Sequence, residues 1–154
     1  PLNVMYAMLR ALLIPGGLAQ AGMTKVTLDL SRGQHSFIAS DFFETIRFLR
    51  SIHALPVWAH PLQYIDEATV TALLPLAEEA GLIGMEVMHS SYTEATVTAA
   101  KALADEFGLH YSGGSDFHGS VKPDVQMGVG NREGTAPNIP DEYYEKLRER
   151  AQKL

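Results

Sequence analysis

Asp116 and His118 stand two residues apart inside Gly113-Gly114-Ser115-Asp116-Phe117-His118-Gly119. A carboxylate oxygen and an imidazole nitrogen are ordinary ligands for zinc, manganese or iron. In an extended segment the side chains at i and i+2 leave the same face, so one metal cluster lies within reach of both. The neighbouring glycines permit unusual backbone angles and the close approach of a ligand. A DxH pair alone is common by chance, and it is the setting, a glycine-dense loop after an apolar strand, that gives this one weight.

His60 closes the apolar run Pro56–His60 and is followed by Pro61. A histidine at a strand end, fixed by a following proline, is well placed to face a site. Alone it would be read as a core histidine bonded to backbone; beside the DxH loop, the ligand reading is the better one. Glu86 interrupts the apolar run Ile83–Met88, and a buried carboxylate is costly unless it is paired or bound to metal. It therefore contacts a metal-bound water, orients a ligand or forms a buried salt bridge. His89 follows and is a candidate for touching substrate, with a surface or capping role as the plain alternative. His35, His53 and His110 lack comparable context, and Asp124 and Arg132 read as solvated loop charges.

These residues need elements to hold them. Asp41 and Glu44 have capping-box spacing before an apolar-faced helix that ends ahead of Pro56. Pro56–His60 is a short strand, Asp66–Ala80 a helix closed by Gly81, and Ile83–Met88 a second strand. Ser91 and Glu94 suggest another capping box, opening a helix that Gly108 stops. Leu109–Ser112 is a third strand, Gly128–Pro140 a connection and Asp141–Lys153 a final helix. Upstream, Asn3–Leu13 reads as a buried helix stopped by Pro15-Gly16-Gly17, Lys25–Leu30 as a strand or irregular connection, and Ser31–Gln34 as a turn. The middle is thus strand–helix–strand–helix–strand with a step of roughly 26 residues, the size of a βα unit. Right-handed crossovers between parallel strands put His60, Glu86 and Asp116 on one sheet edge, where βα architectures carry their chemistry.

Bulk composition narrows the alternatives. At 154 residues and 46% hydrophobic content the chain is one domain able to bury a core without disulfides. It has no cysteine, which removes thiolate sites and cysteine nucleophiles and fits a reducing, cytoplasmic setting. Twelve Lys and Arg against 18 Asp and Glu argue against stable nucleic-acid binding. No apolar run approaches the roughly 20 residues of a membrane span. There is no Walker or GxGxxG pattern and no nucleophile-elbow spacing around Ser115.

Ala59-His60-Pro61, Gly84-Met85-Glu86-Val87 and Gly113–Gly119 resemble, in this order, the closing motifs of PHP (polymerase and histidinol phosphatase) domain phosphoesterases, nearest to small stand-alone bacterial members acting on nucleotides. The resemblance runs from about Phe42 to Gly128, with Pro1–Gly17 similar to the end of an inserted helical segment. It implies an α/β fold, part of a distorted (β/α)7 barrel of parallel strands and crossover helices. Residues 1–40 would be a lead-in, 41–128 the βα units and 129–154 a loop and last helix. It further implies divalent metals (zinc, manganese or iron) held by His60, Asp116 and His118, with Glu86 near the substrate end. The reaction would be hydrolysis of a small phosphorylated substrate by a metal-activated water.

Two departures shape the expectation. No His-x-His occurs in the chain, although that strand supplies much of the family's ligand set, and Leu62-Gln63-Tyr64 stands where some relatives carry a phosphate-holding Arg. Three ligands suit one exchangeable ion, so this piece alone is expected to have little or no activity. A truncated PHP-like scaffold without catalysis is the alternative, and another α/β metal hydrolase the third reading. Unpaired barrel edges lead us to expect that the chain forms a homo-oligomer or has been cut from a longer protein.

Overall fold

The computed structural model describes residues 8–9, 42–131 and 137–153. Four strands form one parallel sheet in the order β1 (Met8–Leu9), β2 (Val57–Trp58), β3 (Gly84–His89), β4 (His110–Gly114). Between them run α1 (Phe42–Ser51), α2 (Glu67–Ala80) and α3 (Glu94–Glu106); a two-stranded antiparallel hairpin, β5 (Val125–Gln126) and β6 (Gly130–Asn131), and then α4 (Asp141–Ala151) follow. This is the expected α/β arrangement of parallel strands and crossover helices, as an open sheet among the described residues.

Local chemistry accounts for most boundaries. The Asp66 carboxylate caps α2 by accepting the Thr69 N–H at 2.9 Å, and Gly81, at φ 104°, closes it with its own N–H on the Ala77 and Glu78 carbonyls. Val70, Leu74 and Ala77 recur at helical spacing along its buried face. In α3 the cap is Thr93, whose hydroxyl accepts the Thr96 N–H at 3.1 Å, rather than the expected Ser91. Ser91 is instead committed to His89.

Alternation along the strands separates two faces. Trp58, Met85 and Val87 turn into the main core with Ile46, Val70, Leu74 and Ala100, all at most 1% exposed. Burying a side chain of this size contributes about 1.5–3 kcal/mol. Val57, Ala59, Glu86 and Ser112 line a cavity of about 440 Å³ on the other face, closed on one side by Ile139 and by Tyr143 and Leu147 of α4.

Upstream, the expected Asn3–Leu13 helix is overturned at Met8–Leu9, which is extended and runs parallel to Val57–Trp58. A short apolar run carries no period that separates helix from strand, and the open edge of β2 decides it. The expectations at Lys25–Leu30, Ser31–Gln34, Asp41 and Arg132 lie outside the described residues.

Candidate functional site

The C-terminal ends of β2, β3 and β4 bring His60, Glu86, His89, Asp116 and His118 together. Each position has a backbone reason. His60 leaves β2 in the left-handed region at φ 33° and opens the short 3-10 turn Pro61–Gln63. A register shift between Glu86 and Met88 in the β3–β4 ladder is a bulge that re-aims the end of β3, where His89 sits. Asp116 is also left-handed, at φ 56°. A non-glycine residue there is uncommon, and such angles persist where the surroundings enforce them, often at functional sites.

The angle at Asp116 corrects one expectation. The DxH segment is not extended but turns sharply after β4, and His118 folds back over Asp116. Its Nδ1 lies 2.7 Å from the Asp116 carbonyl oxygen and 3.3 Å from Asp116 Oδ1. A carbonyl only accepts, so Nδ1 carries the proton and in the neutral ring the lone pair of His118 is left on Nε2, a nitrogen able to ligate a metal.

His89 has the opposite arrangement. Its Nδ1 accepts the Ser91 N–H at 3.1 Å and lies 2.8 Å from Ser91 Oγ, which leaves the proton of the neutral ring on Nε2. That Nε2 is buried without a hydrogen-bond partner, 3.7 Å from Asp116 Oδ2. The ring stacks obliquely on His60, with centroids 5.2 Å apart. Burial, then the neighbouring His60 charge, push the His89 pKa down to about 4, so near neutral pH it is an uncharged donor.

Glu86, 3% exposed, accepts the His60 backbone N–H on Oε2 at 2.7 Å. Burial drives its pKa up to about 7, with the Asp116 charge adding to the rise and the His60 N–H opposing it. A β-carbon at Gly114 would stand 3.1 Å from Glu86 Oε1, so glycine there leaves room for the carboxyl. This places Glu86 between the cavity and the histidine cluster.

Sequence reasoning missed Lys122. Its ammonium is in ionic contact with Asp116 Oδ2. Burial alone would raise the Asp116 pKa; the hydrogen bond and charge of Lys122, then His118 and His60, outweigh it and hold the carboxyl below its usual range. A single lysine six residues beyond the aspartate carries no spacing signal. Tyr92 was missed too: its hydroxyl accepts the Leu62 N–H at 2.9 Å and ties the turn after His60 to the start of α3.

The arrangement answers the metal question in part. Among the described residues, no three His, Asp or Glu side chains are gathered to hold an ion. The His118 tautomer suits ligation, while Asp116 is occupied by Lys122 and His89 presents a proton. These groups would fit one exchangeable ion after Lys122 has moved and the His118 ring has turned its Nε2 toward Asp116, and they do not fit a closed cluster.

No family model and no curated protein matches the chain. Two solved structures are among those similar to it in fold. One is a candidate metal-dependent phosphoesterase from Bifidobacterium adolescentis, 22% identical with a TM-score of 0.52, over 75% of this chain and 39% of that one. The other is an amidohydrolase from Chromobacterium violaceum with bound sulfate and no metal, 23% identical with a TM-score of 0.54, over 79% of this chain and 42% of that one. At these identities the likeness is one of fold. The chain spans about two fifths of the length of each.

Proposed function

We propose that this chain is the closing part of a metal-dependent phosphoester hydrolase of the PHP type, with His60, Asp116 and His118 as its contribution to the metal site. The observation that carries the reading is the His118 ring, whose Nδ1–H is held by the Asp116 carbonyl at 2.7 Å and lies 3.3 Å from the Asp116 carboxylate, so that Nε2 keeps its lone pair. The motif order and the fold shared with the two solved structures support it. A bound divalent ion would polarise the phosphoryl oxygens and lower the pKa of a water.

The chain's own residues divide the remaining work. His89 Nε2–H, buried and unpartnered, is a donor suited to a phosphoryl oxygen. Glu86, titrating near neutral pH, holds or releases a proton at the inner wall of the site. Its bond to His60 N–H sets the height of that histidine. The substrate is a small phosphorylated molecule, with nucleotides as the expected class.

The test is Mn2+ titration of the 154-residue chain, followed by the loss of free-ion signal in electron paramagnetic resonance, with phosphate release from a panel of esters alongside. One weakly bound ion, lost in His118→Ala and Asp116→Asn, is the expected result, with little or no turnover by this piece. Rapid release abolished by His118→Ala would overturn the expected inactivity, and binding indifferent to both substitutions would overturn the site. A non-catalytic domain of the same fold is the second reading, and the Lys122–Asp116 pair is the observation that favours it, because a neutralised carboxylate needs no ion.

A further inference from the structure

Lys122 is the residue of this cluster that the reaction above does not use. Its position is specific: it lies just past the 3-10 turn Gly119–Val121, and its ammonium reaches back six residues to the Oδ2 that also faces His89. Asp116 is 7% exposed and the Lys122 side chain 28% exposed. A nearly buried carboxylate that lost this partner would face a large desolvation penalty unless another cation arrived. His118 and His60 favour the carboxylate less than Lys122 does. His89 is neutral because its Nδ1 accepts from Ser91, and His118 spends its Nδ1 proton mainly on a backbone carbonyl.

We propose that Lys122 and a divalent cation compete for the Asp116 carboxylate, so that metal enters this site only by displacing the lysine. The inference rests on the metal reading above and goes beyond it, since it assigns Lys122 a role that weakens binding while keeping the metal-free fold intact. Both cations satisfy the same buried oxygen, and two positive charges cannot share it at contact distance without strong repulsion. By linkage, whatever Lys122 contributes to the stability of the metal-free chain is subtracted from the metal's affinity.

The experiment is Mn2+ titration of wild type, Lys122→Met, Lys122→Gln and Lys122→Arg by electron paramagnetic resonance, with thermal unfolding of each protein with and without the ion. Lys122→Met and Lys122→Gln should bind Mn2+ roughly threefold to tenfold more tightly, the scale of a part-exposed ion pair. Without metal they should melt below wild type, and Mn2+ should raise their melting temperature more than that of wild type. Lys122→Arg keeps the charge and should behave as wild type. The Gln variant retains an amide donor for Asp116, so it serves if the Met variant does not fold. Equal or weaker binding by the neutral variants overturns the competition and leaves the metal reading standing. No binding by any of the four overturns both.

Discussion

The Glu86 carboxylate and the His60 backbone N–H meet at 2.7 Å across neighbouring strands, joining the end of β2 to the middle of β3. The acceptor is almost fully buried and the donor belongs to a residue in a left-handed conformation, so the bond both satisfies a polar group and holds a strained angle. Glu86→Ala removes the acceptor from that N–H and opens space beside the cavity. We expect a loss of about 1–3 kcal/mol of unfolding free energy. Glu86→Gln keeps an acceptor oxygen and should cost less than about 1 kcal/mol. Trp58, the only tryptophan and 1% exposed, reports unfolding by fluorescence. Equal losses in the two variants would show that the hydrogen bond is not what matters.

Glu86 and His89 should pull stability in opposite directions over one pH window. The Glu86 pKa is raised from 4.5 to about 7, so the folded chain binds its proton more tightly than the unfolded one. Its contribution is fully present below pH 4.5 and is lost as pH rises through about 7. The His89 pKa is lowered from 6.5 to about 4, so its contribution is present above 6.5 and is lost as pH falls toward 4. Wild-type stability should therefore vary little between pH 4.5 and 6.5. Glu86→Gln should make the chain lose stability steadily on acidification across that range, and His89→Gln should make it gain. Urea unfolding at several pH values checks both slopes, and matching slopes in the two variants would refute the assignment.

Much of this was legible in the sequence because it is written in local chemistry. Asp66 and Gly81 bound α2 as capping and left-handed residues do anywhere, and the placement of His60 and Asp116 just past β2 and β4 follows from where their apolar runs stop, whereas Glu86 sits in the middle of β3. What escaped depends on tertiary context. Asp116 adopts φ 56°, a left-handed angle that aspartate tolerates better than most residues but that an otherwise extended-looking motif does not signal. Thr93 and Ser91 both precede Glu94 with hydroxyl side chains, and only the commitment of Ser91 to His89 chooses between them as the cap. Lys122 is one cation in a loop until the turn at Gly119–Val121 brings it onto Asp116. Met8–Leu9 became a strand because β2 offered an edge.

Glycine 113 should be irreplaceable for packing, not for backbone angle. A β-carbon there would lie 2.8 Å from the Met88 carbonyl oxygen and 2.9 Å from Ile139 Cγ1, at the bulge between β3 and β4. One of those neighbours is backbone and cannot yield cheaply, so Gly113→Ala should cost about 1–3 kcal/mol. Gly108 offers the contrast, at φ 61° with open space around it. Gly108→Ala should lose only the left-handed penalty of about 1–2 kcal/mol. The distinguishing readout is the site: the amide signals of His89 and Asp116 in nuclear magnetic resonance should shift in the Gly113 variant and stay in place in the Gly108 variant.

Association is the last expectation to test. Among the described residues β4 pairs only with β3, so one side of its backbone is left without a strand partner. Unpaired edges recruit further strands unless they are charged, covered or bulged. The β4 sequence His110-Tyr111-Ser112-Gly113-Gly114 has no charged blocking residue near neutral pH, since burial and the nearby cations Arg150, Lys146 and Lys153 lower the His110 pKa. The packing of α4 beside Tyr111 covers part of this strand through the Tyr111–Tyr143 contact at 5.1 Å. The remainder, at Ser112–Gly114, lies beside the candidate site. We expect the 154-residue chain to form dimers at micromolar concentration, measured by light scattering coupled to size exclusion. Protection of the Ser112–Gly114 amides from hydrogen exchange should increase with protein concentration. A monomer with concentration-independent exchange would show that α4 and the neighbouring loop cover the edge by themselves.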